Sequence, residues 1–352
     1  MTKKLSFPFE RAPDKGHVQE VAEGVFWLRM PLPFGIDHIN LWLLEDGDGW
    51  TIVDSGVCNE ETKTIWKEIF AKYLDGRPVT RVLLTHFHPD HLGLAGWLVD
   101  EWQAELWMTP LEFMFAQMSH LDADGHLYSG MASHYLRFGL PEATVNMMGK
   151  MSSFYKEMIS PLPPMFHRVR AGDPVMINGR RWEVMIGLGH SPEHACYHCP
   201  ELNVIIGGDQ LLPRITPSIG IMPSEPEGDP LRLFLESLKQ FYEVPDNCLV
   251  LPSHELPYRG VSHRLDVMYA HHDERCDRVL TACSKRGLPA LEVVKAMFDR
   301  ELDPMQQMMA LGECVAHLHY LIYQNKIKRE IHSDGLYRYT TVGEPTVVTA
   351  FA

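Results

Sequence analysis

Two apolar runs, residues 39–44 and 50–53, flank the turn residues Glu45, Asp46, Gly47, Asp48 and Gly49. That pattern predicts a β-hairpin. Residues 24–29 before it read as a further strand. At 60–73 the spacing changes, with Ile65, Ile69 and Tyr73 on one helical face, which predicts a helix. A short apolar run at 81–85 predicts a buried strand, and residues 92–102 predict another helix. Strand, helix, strand, helix in this order points to an α/β chain of sheet and helix layers. From 109 to 165 the chain reads as helical, broken at Pro141 and at Pro161, Pro163 and Pro164. Strands resume at 181–186 and 203–206. After Pro257 the pattern is helical to about residue 328 and ends in a short polar, β-branched tail. These shifts suggest a first domain over 1–260 with a helical insertion at about 109–165, and a second domain over 261–352. No internal repeat is evident.

Composition narrows the classes. With 352 residues, 45% of them hydrophobic, the chain can bury a large core. Its formal net charge of −14 works against long-range attraction to nucleic acid or anionic membranes, so nucleic acid is an unfavoured partner and a small molecule the expected one. Lysines near the N-terminus are followed by no apolar stretch, so no secretory signal is expected. No run of about 18 apolar residues suggests a membrane span. Seven cysteines, an odd number scattered from Cys58 to Cys314, do not read as a disulfide framework and point to a reducing cytoplasm. The oligomeric state is not legible. The 19 histidines are the anomaly.

They concentrate first at Thr85, His86, Phe87, His88, Pro89, Asp90 and His91, where the buried strand gives way to a helix. On extended backbone His86 and His88 project to one side. Asp90 then starts the helix and His91 opens its first turn, so one loop aims four ligand-type side chains at two adjacent points. Imidazole and carboxylate together suit zinc and similar divalent ions. Further candidates lie just past later apolar strands: His190 after Gly189, Asp209 after Gly207 and Gly208, and His254 after Ser253. Each alone could simply end a strand or a turn. In this order they form a constellation.

That constellation resembles the metallo-β-lactamase superfamily, whose HxHxDH motif matches His86, His88, Asp90 and His91. The resemblance implies an αββα sandwich and two divalent metal ions, zinc first, with manganese and iron as alternatives. One ion would take His86, His88 and His190, the other Asp90, His91 and His254, with Asp209 bridging them. Val53, Asp54, Ser55 and Gly56 resemble the family's VDTG turn, in which Asp54 would support the ligands from behind. The match covers roughly residues 20–260. Arg264 to Asp266, His271 to Arg275 and Ala316 to Leu318 resemble the winged-helix C-terminal domain of the lactamase-beta-2-like branch.

Such a site implies a hydrolase in which the two ions generate a bridging hydroxide that attacks a carbonyl, with Asp90 orienting it and passing its proton to the leaving group. Neither Cys58 nor any serine is needed as nucleophile. Departures from known branches narrow the substrate. Two-zinc β-lactamases lack the bridging aspartate found here as Asp209, and acyl-homoserine lactonases carry a tyrosine where this chain has Leu212. No glutathione-binding pattern of the glyoxalase II type is apparent, and His88 is not the glutamate of flavodiiron oxidases. A small apolar thioester, ester or lactone is the expected substrate. An endoribonuclease and a mononuclear iron persulfide dioxygenase are the alternatives. The insertion holds nine of the 19 methionines, Met108 counted. Its Met114, Phe115, Met118, Met131, Tyr135, Met147, Met148, Met151 and Phe154 suit either an apolar roof over the site or a small core of their own.

Three features read otherwise. The spacing of Cys196 and Cys199 is metal-like, but no second pair accompanies it and the segment reads as a strand, so these are expected to pack in the core. His194 and His198 read as ordinary polar residues, with a supporting role open to either. Lys326, Lys328 and Arg329 read as a solvated helix end.

Overall fold

Seven strands make the larger sheet: β1 (Gln19–Ala22), β2 (Val25–Pro31), β3 (His38–Asp46), β4 (Gly49–Val53), β5 (Val79–Leu83), β6 (Glu105–Met108) and β7 (His167–Arg168), in that spatial order. Neighbours from β1 to β4 run antiparallel and those from β4 to β7 parallel. The expected hairpin is β3–β4. The expected helix Glu60–Tyr73 buries Ile65, Trp66 and Ile69, and its cap Asn59 accepts a hydrogen bond from the Thr62 N–H. A second sheet holds β8 (Pro174–Ile177), β9 (Arg180–Gly187), β10 (His194–Cys199), β11 (Val204–Gly208) and β12 (Leu249–Pro252), ordered β12-β11-β10-β9-β8. This computed structural model describes residues 4–122, 125–148, 151–222 and 224–343.

Alternating residues of the two sheets meet in one core: Trp27, Trp42, Leu44, Val53 and Leu83 from the first, and Trp182, Val184, Tyr197, Ile206 and Leu251 from the second. Cys196 and Cys199 are buried in β10, as packing requires. The sheets are also tied by hydrogen bonds where strands end. The Ala195 N–H donates to the Thr85 carbonyl at 2.8 Å, and the Tyr197 hydroxyl to that of Leu84 at 2.9 Å. The chain therefore leaves β5 beside the start of β10.

Packing divides the chain into two units, Met1–Ala123, Ser152–Pro217 and Ser237–Leu265 in one, and Asp124–Met151, Ser218–Glu236 and Asp266–Ala352 in the other. A single cut near residue 260 is coarser than this division. Segments 124–151 and 218–236 pack with the C-terminal elements: the Leu291 N–H donates to the Phe138 carbonyl at 3.1 Å, and the Tyr269 hydroxyl to that of Leu235 at 2.6 Å. The insertion is helical as expected, in Pro110–Leu121, His126–Arg137, Glu142–Met148 and Met151–Glu157. The side chains of Met131, Met147, Met148 and Met151 lie outside the described residues.

In the second unit the helices Ala290–Met297 and Pro304–Tyr323 precede a hairpin, β13 (Ile327–Ile331) and β14 (Tyr337–Thr341). Lys328 and Arg329 thus lie on a strand rather than a solvated helix end. Asn325, at φ 58°, turns the chain out of the helix, and Arg329 pairs with Glu227 at 2.8 Å. No helix among the described residues is long and apolar enough to cross a membrane.

The insertion's return path crosses the helix Ala95–Trp102 at close range. The Ser160 N–H donates to the Gly93 carbonyl at 2.6 Å, the Cys58 N–H to that of Met158 at 2.8 Å, and the Leu94 N–H to that of Gly56 at 3.0 Å. A Cβ at Gly93 would lie 2.6 Å from the carbonyl oxygens of both Gly56 and Met158, and one at Gly96 would lie 1.9 Å from that of Pro161. Alanine at position 96 would gain up to about 1 kcal/mol of helix propensity. The overlap is with backbone, which cannot swing aside, and such overpacking costs about 1–3 kcal/mol or more. Gly96→Ala should therefore be net destabilising. A denaturation midpoint equal to or above wild type would contradict this packing.

Candidate metal centre

β4 and β5 run parallel with Val53 opposite Leu83, so the residues beyond them, Asp54 and Thr85, emerge side by side. Asp54 adopts φ 59°, a left-handed conformation uncommon outside glycine, asparagine and aspartate. That turn aims its carboxylate back at the loop after β5. Oδ1 accepts from the Thr85 N–H and Oδ2 from the Thr85 hydroxyl, both at 2.8 Å, and Oδ2 lies 2.7 Å from Nδ1 of His91. Nδ1 of His86 lies 3.0 Å from Oγ1 of Thr85. Both rings can therefore donate from Nδ1, which leaves a lone pair on Nε2 pointing away from these partners.

Beyond Thr85 the extended backbone sends His86 and His88 to one side, and the short helix Pro89–Leu92 turns Asp90 and His91 inward. His190 sits between β9 and β10, and Asp209 and His254 follow β11 and β12, whose parallel pairing sets Gly208 opposite Pro252. The His254 turn is tied to β3 by Asn40, whose amide donates to the carbonyls of Pro252 at 2.8 Å and Glu255 at 3.0 Å. Nδ1 of His254 lies 2.8 Å from the His38 carbonyl oxygen, which again leaves Nε2 free.

All seven candidate ligands come together, in two groups. Ligand-type atoms of His86, His88, His190 and Asp209 lie within 4.8 Å of one another, as do those of Asp90, His91 and His254. The Asp209 carboxylate faces both. Its Oδ2 is 3.2 Å from Nε2 of His190, while Oδ1 is 3.5 Å from Nε2 of His91 and 3.4 Å from Nε2 of His254. Oδ2 of Asp90 is 3.6 Å from Nε2 of both His91 and His254.

Burial and charge fit a cation between them. His86 and His91 are fully buried and Asp209 nearly so. Nε2 of His91 and Oδ1 of Asp209, both buried, have no hydrogen-bond partner and point into the gap. Such orphaned polar atoms are costly unless something outside the chain satisfies them. Burial and the neighbouring imidazoles push His86 and His88 well below the usual histidine range, so both are neutral and can donate a lone pair. Burial opposes charge on His91 too, but Asp90, Asp54 and Asp209 outweigh it and hold its pKa well above the usual value. A divalent ion would take the place of that proton.

One contributor passes for ordinary polarity in the sequence. His194 is fully buried, and burial pushes its pKa down to about 3. Its Nε2 accepts from the Asp209 N–H at 3.1 Å, and its ring stacks on His86 at 4.8 Å. It stands behind both Asp209 and His86. The available signal was position, two residues after Pro192 on the strand that closes the His190 loop.

Comparison with known proteins agrees with this geometry. A family model described as the Metallo-beta-lactamase superfamily matches residues 35–254, and one described as Metallo-beta-lactamase-like, C-terminal domain matches 276–342. A beta-lactamase domain protein from Burkholderia ambifaria is similar in structure, with 44% identity, a TM-score of 0.88 and coverage of 96% of this chain and 97% of that one. A metallo-beta-lactamase family protein from Thermus thermophilus is 25% identical at a TM-score of 0.76, covering 92% of this chain and all of its own. A probable metallo-hydrolase of Bacillus subtilis (strain 168) is 23% identical over 321 residues, which span 90% of this chain and 97% of the relative.

Proposed function

This chain belongs to the metallo-beta-lactamase superfamily and is a metallo-hydrolase, and from that premise we propose that it holds two divalent ions and hydrolyses small apolar thioesters, esters or lactones. His86, His88 and His190 would hold one ion, Asp90, His91 and His254 the other, and Asp209 both. Imidazole and carboxylate suit zinc, with manganese or iron as alternatives. When bound, such ions lower the pKa of a shared water and polarise a carbonyl. The chain's own residues do the rest. Asp90, with 18% of its side chain exposed, is the carboxylate placed to hold the water's proton and to return it to the leaving group. Thr85 and Asp54 keep the histidines in the donating tautomer. The odd, scattered set of seven cysteines suits a reducing cytoplasmic setting. The hairpin-bearing C-terminal unit is read as a winged-helix-like domain.

The observation that carries the substrate class is the apolar surround of the His86 loop. Phe87, between two candidate ligands, packs at 5.8 Å on Phe115 and 6.4 Å on Tyr155. The Tyr155 hydroxyl donates to the Phe87 carbonyl at 2.8 Å. Phe154, beside Tyr155, meets Phe34 edge-on at 6.3 Å, and Phe34, Phe154 and Met114 are all exposed. Large apolar side chains left in water, one of them adjoining the Tyr155 that bonds to Phe87, suit an apolar substrate group.

The test is a series of p-nitrophenyl esters and acyl thioesters of rising chain length. A contact of about 50 Å² with Phe154 contributes about 1 kcal/mol at 25 cal/mol per Å². Phe154→Ala should then raise KM for octanoyl substrates about fivefold and leave acetyl substrates nearly unchanged. Efficient cleavage of single-stranded RNA, lost in His88→Ala and without esterase activity, would replace this reading with the nuclease.

A further inference from the structure

We propose that Glu112 is a positioning residue that sets the spacing between the two loops carrying His86, His88 and His190. Glu112 stands in the first turn of the helix Pro110–Leu121, amid Leu111, Phe113, Met114 and Phe115, and is fully buried. Its Oε2 accepts from the Phe87 N–H at 2.9 Å. Its Oε1 accepts from the Ser191 hydroxyl at 2.7 Å and the Glu193 N–H at 2.6 Å. Phe87 separates His86 from His88, and Ser191 follows His190. A single carboxylate therefore spans the backbone on both sides of the first group of candidate ligands.

The same helix turn is tied to the His190 loop twice more. The Thr109 hydroxyl donates to the Glu193 carbonyl at 2.8 Å and the Leu111 N–H to the Glu193 carboxylate at 3.1 Å. These bonds hold one loop. Glu112 adds a side-chain link to the other, beside the backbone bond from Ala195 to Thr85.

A carboxylate is an expensive way to fill this space. Burial pushes its pKa up to about 7, against the pull of Ser191 and of the Glu193 and Phe87 N–H groups. A buried ionic group generally stabilises a fold no better than an apolar side chain of the same volume. What the carboxylate provides instead is geometry: two oxygens at fixed separation, each accepting from a different loop.

The inference rests on the two-ion reading, and the experiment separates the two. Cobalt(II) is titrated into metal-depleted wild type, Glu112→Gln and Ser191→Ala, following the visible d–d bands, with kcat, KM and thermal midpoint measured on the loaded proteins. Glutamine keeps the volume but must turn its amide toward one of the donors, which loosens one loop. Glu112→Gln should lose about tenfold in affinity for one equivalent of cobalt, shift its bands, and lose about tenfold in kcat with KM unchanged. Ser191→Ala, which deletes a single donor, should move the same readouts less and in the same direction. If Glu112→Gln does not fold, Ser191→Ala decides alone, and unchanged bands and kcat in it overturn the proposal. Unchanged affinity, bands and kcat in Glu112→Gln, with only a lower thermal midpoint, would make Glu112 a stabilising residue and no more. Wild type that takes up no cobalt overturns the two-ion reading, and this inference with it.

Discussion

Asp209→Asn should yield a folded chain that keeps about one equivalent of metal and loses well over 10²-fold in turnover. The carboxylate is the one candidate ligand that faces both groups, with Oδ2 toward His190 and Oδ1 toward His91 and His254. Asparagine has one oxygen and two N–H donors, so one group would meet a donor where it needs an acceptor. It would also remove a negative charge that, with Asp90 and Asp54, holds the His91 pKa above its usual value. Losing a partner that merely orients a ligand already costs about 10- to 100-fold in affinity or activity, which sets the floor for a ligand itself. The main chain should tolerate the change, because the Asp209 N–H still donates to His194. Elemental analysis and ester turnover check it. Two equivalents at wild-type rate would remove Asp209 from the bridge. A single tightly bound iron in wild type, with nothing in the second group, would favour the dioxygenase.

For Asp54→Asn the expected loss is 10- to 100-fold, in metal retention or in kcat, without unfolding. The left-handed backbone at φ 59° is one that asparagine adopts about as readily as aspartate. The turn should therefore persist. The hydrogen bonds should not. Oδ2 accepts from both the Thr85 hydroxyl and Nδ1 of His91, and Oδ1 from the Thr85 N–H. An amide nitrogen on either side would oppose a donor. Turned toward His91, it would favour the tautomer whose Nε2 carries a proton and cannot bind a metal. Equilibrium dialysis against a chelator, with circular dichroism as the folding control, checks the outcome. Unchanged metal affinity and rate would reduce Asp54 to a turn residue.

The seven candidate ligands were legible because each follows an apolar run, and apolar runs between turn residues are what sequence marks best. The same holds for the β3–β4 hairpin and the helix Glu60–Tyr73. Legibility fails where the deciding contact is distant along the chain. Glu112 reads as a stray charge in an apolar helix, since its partners Phe87 and Ser191 are 25 and 79 residues away. His194 looked ordinary because its partner is a backbone N–H, which leaves no mark in a sequence. Arg329 looked like a solvated helix end until Asn325 turned the chain and Glu227 met it from 102 positions away. The segments 124–151 and 218–236 were assigned by chain order, whereas packing groups them with the C-terminal helices.

Gly93 and Gly96 bear on how a mutational tolerance map of this enzyme would be read. Scored by activity, saturation of these two positions would give columns as blank as those of His86 or Asp209, although neither glycine offers an atom to the chemistry. At position 93 main-chain carbonyls of two separate segments, at Gly56 and Met158, and of the preceding turn, at Pro89, come within 2.4–2.6 Å of where a side chain would begin. Intolerance there would record a crossing of backbones. Only a parallel screen for folded protein would tell such a crossing from a reactive group, and a search for the catalytic residues by tolerance alone would return both.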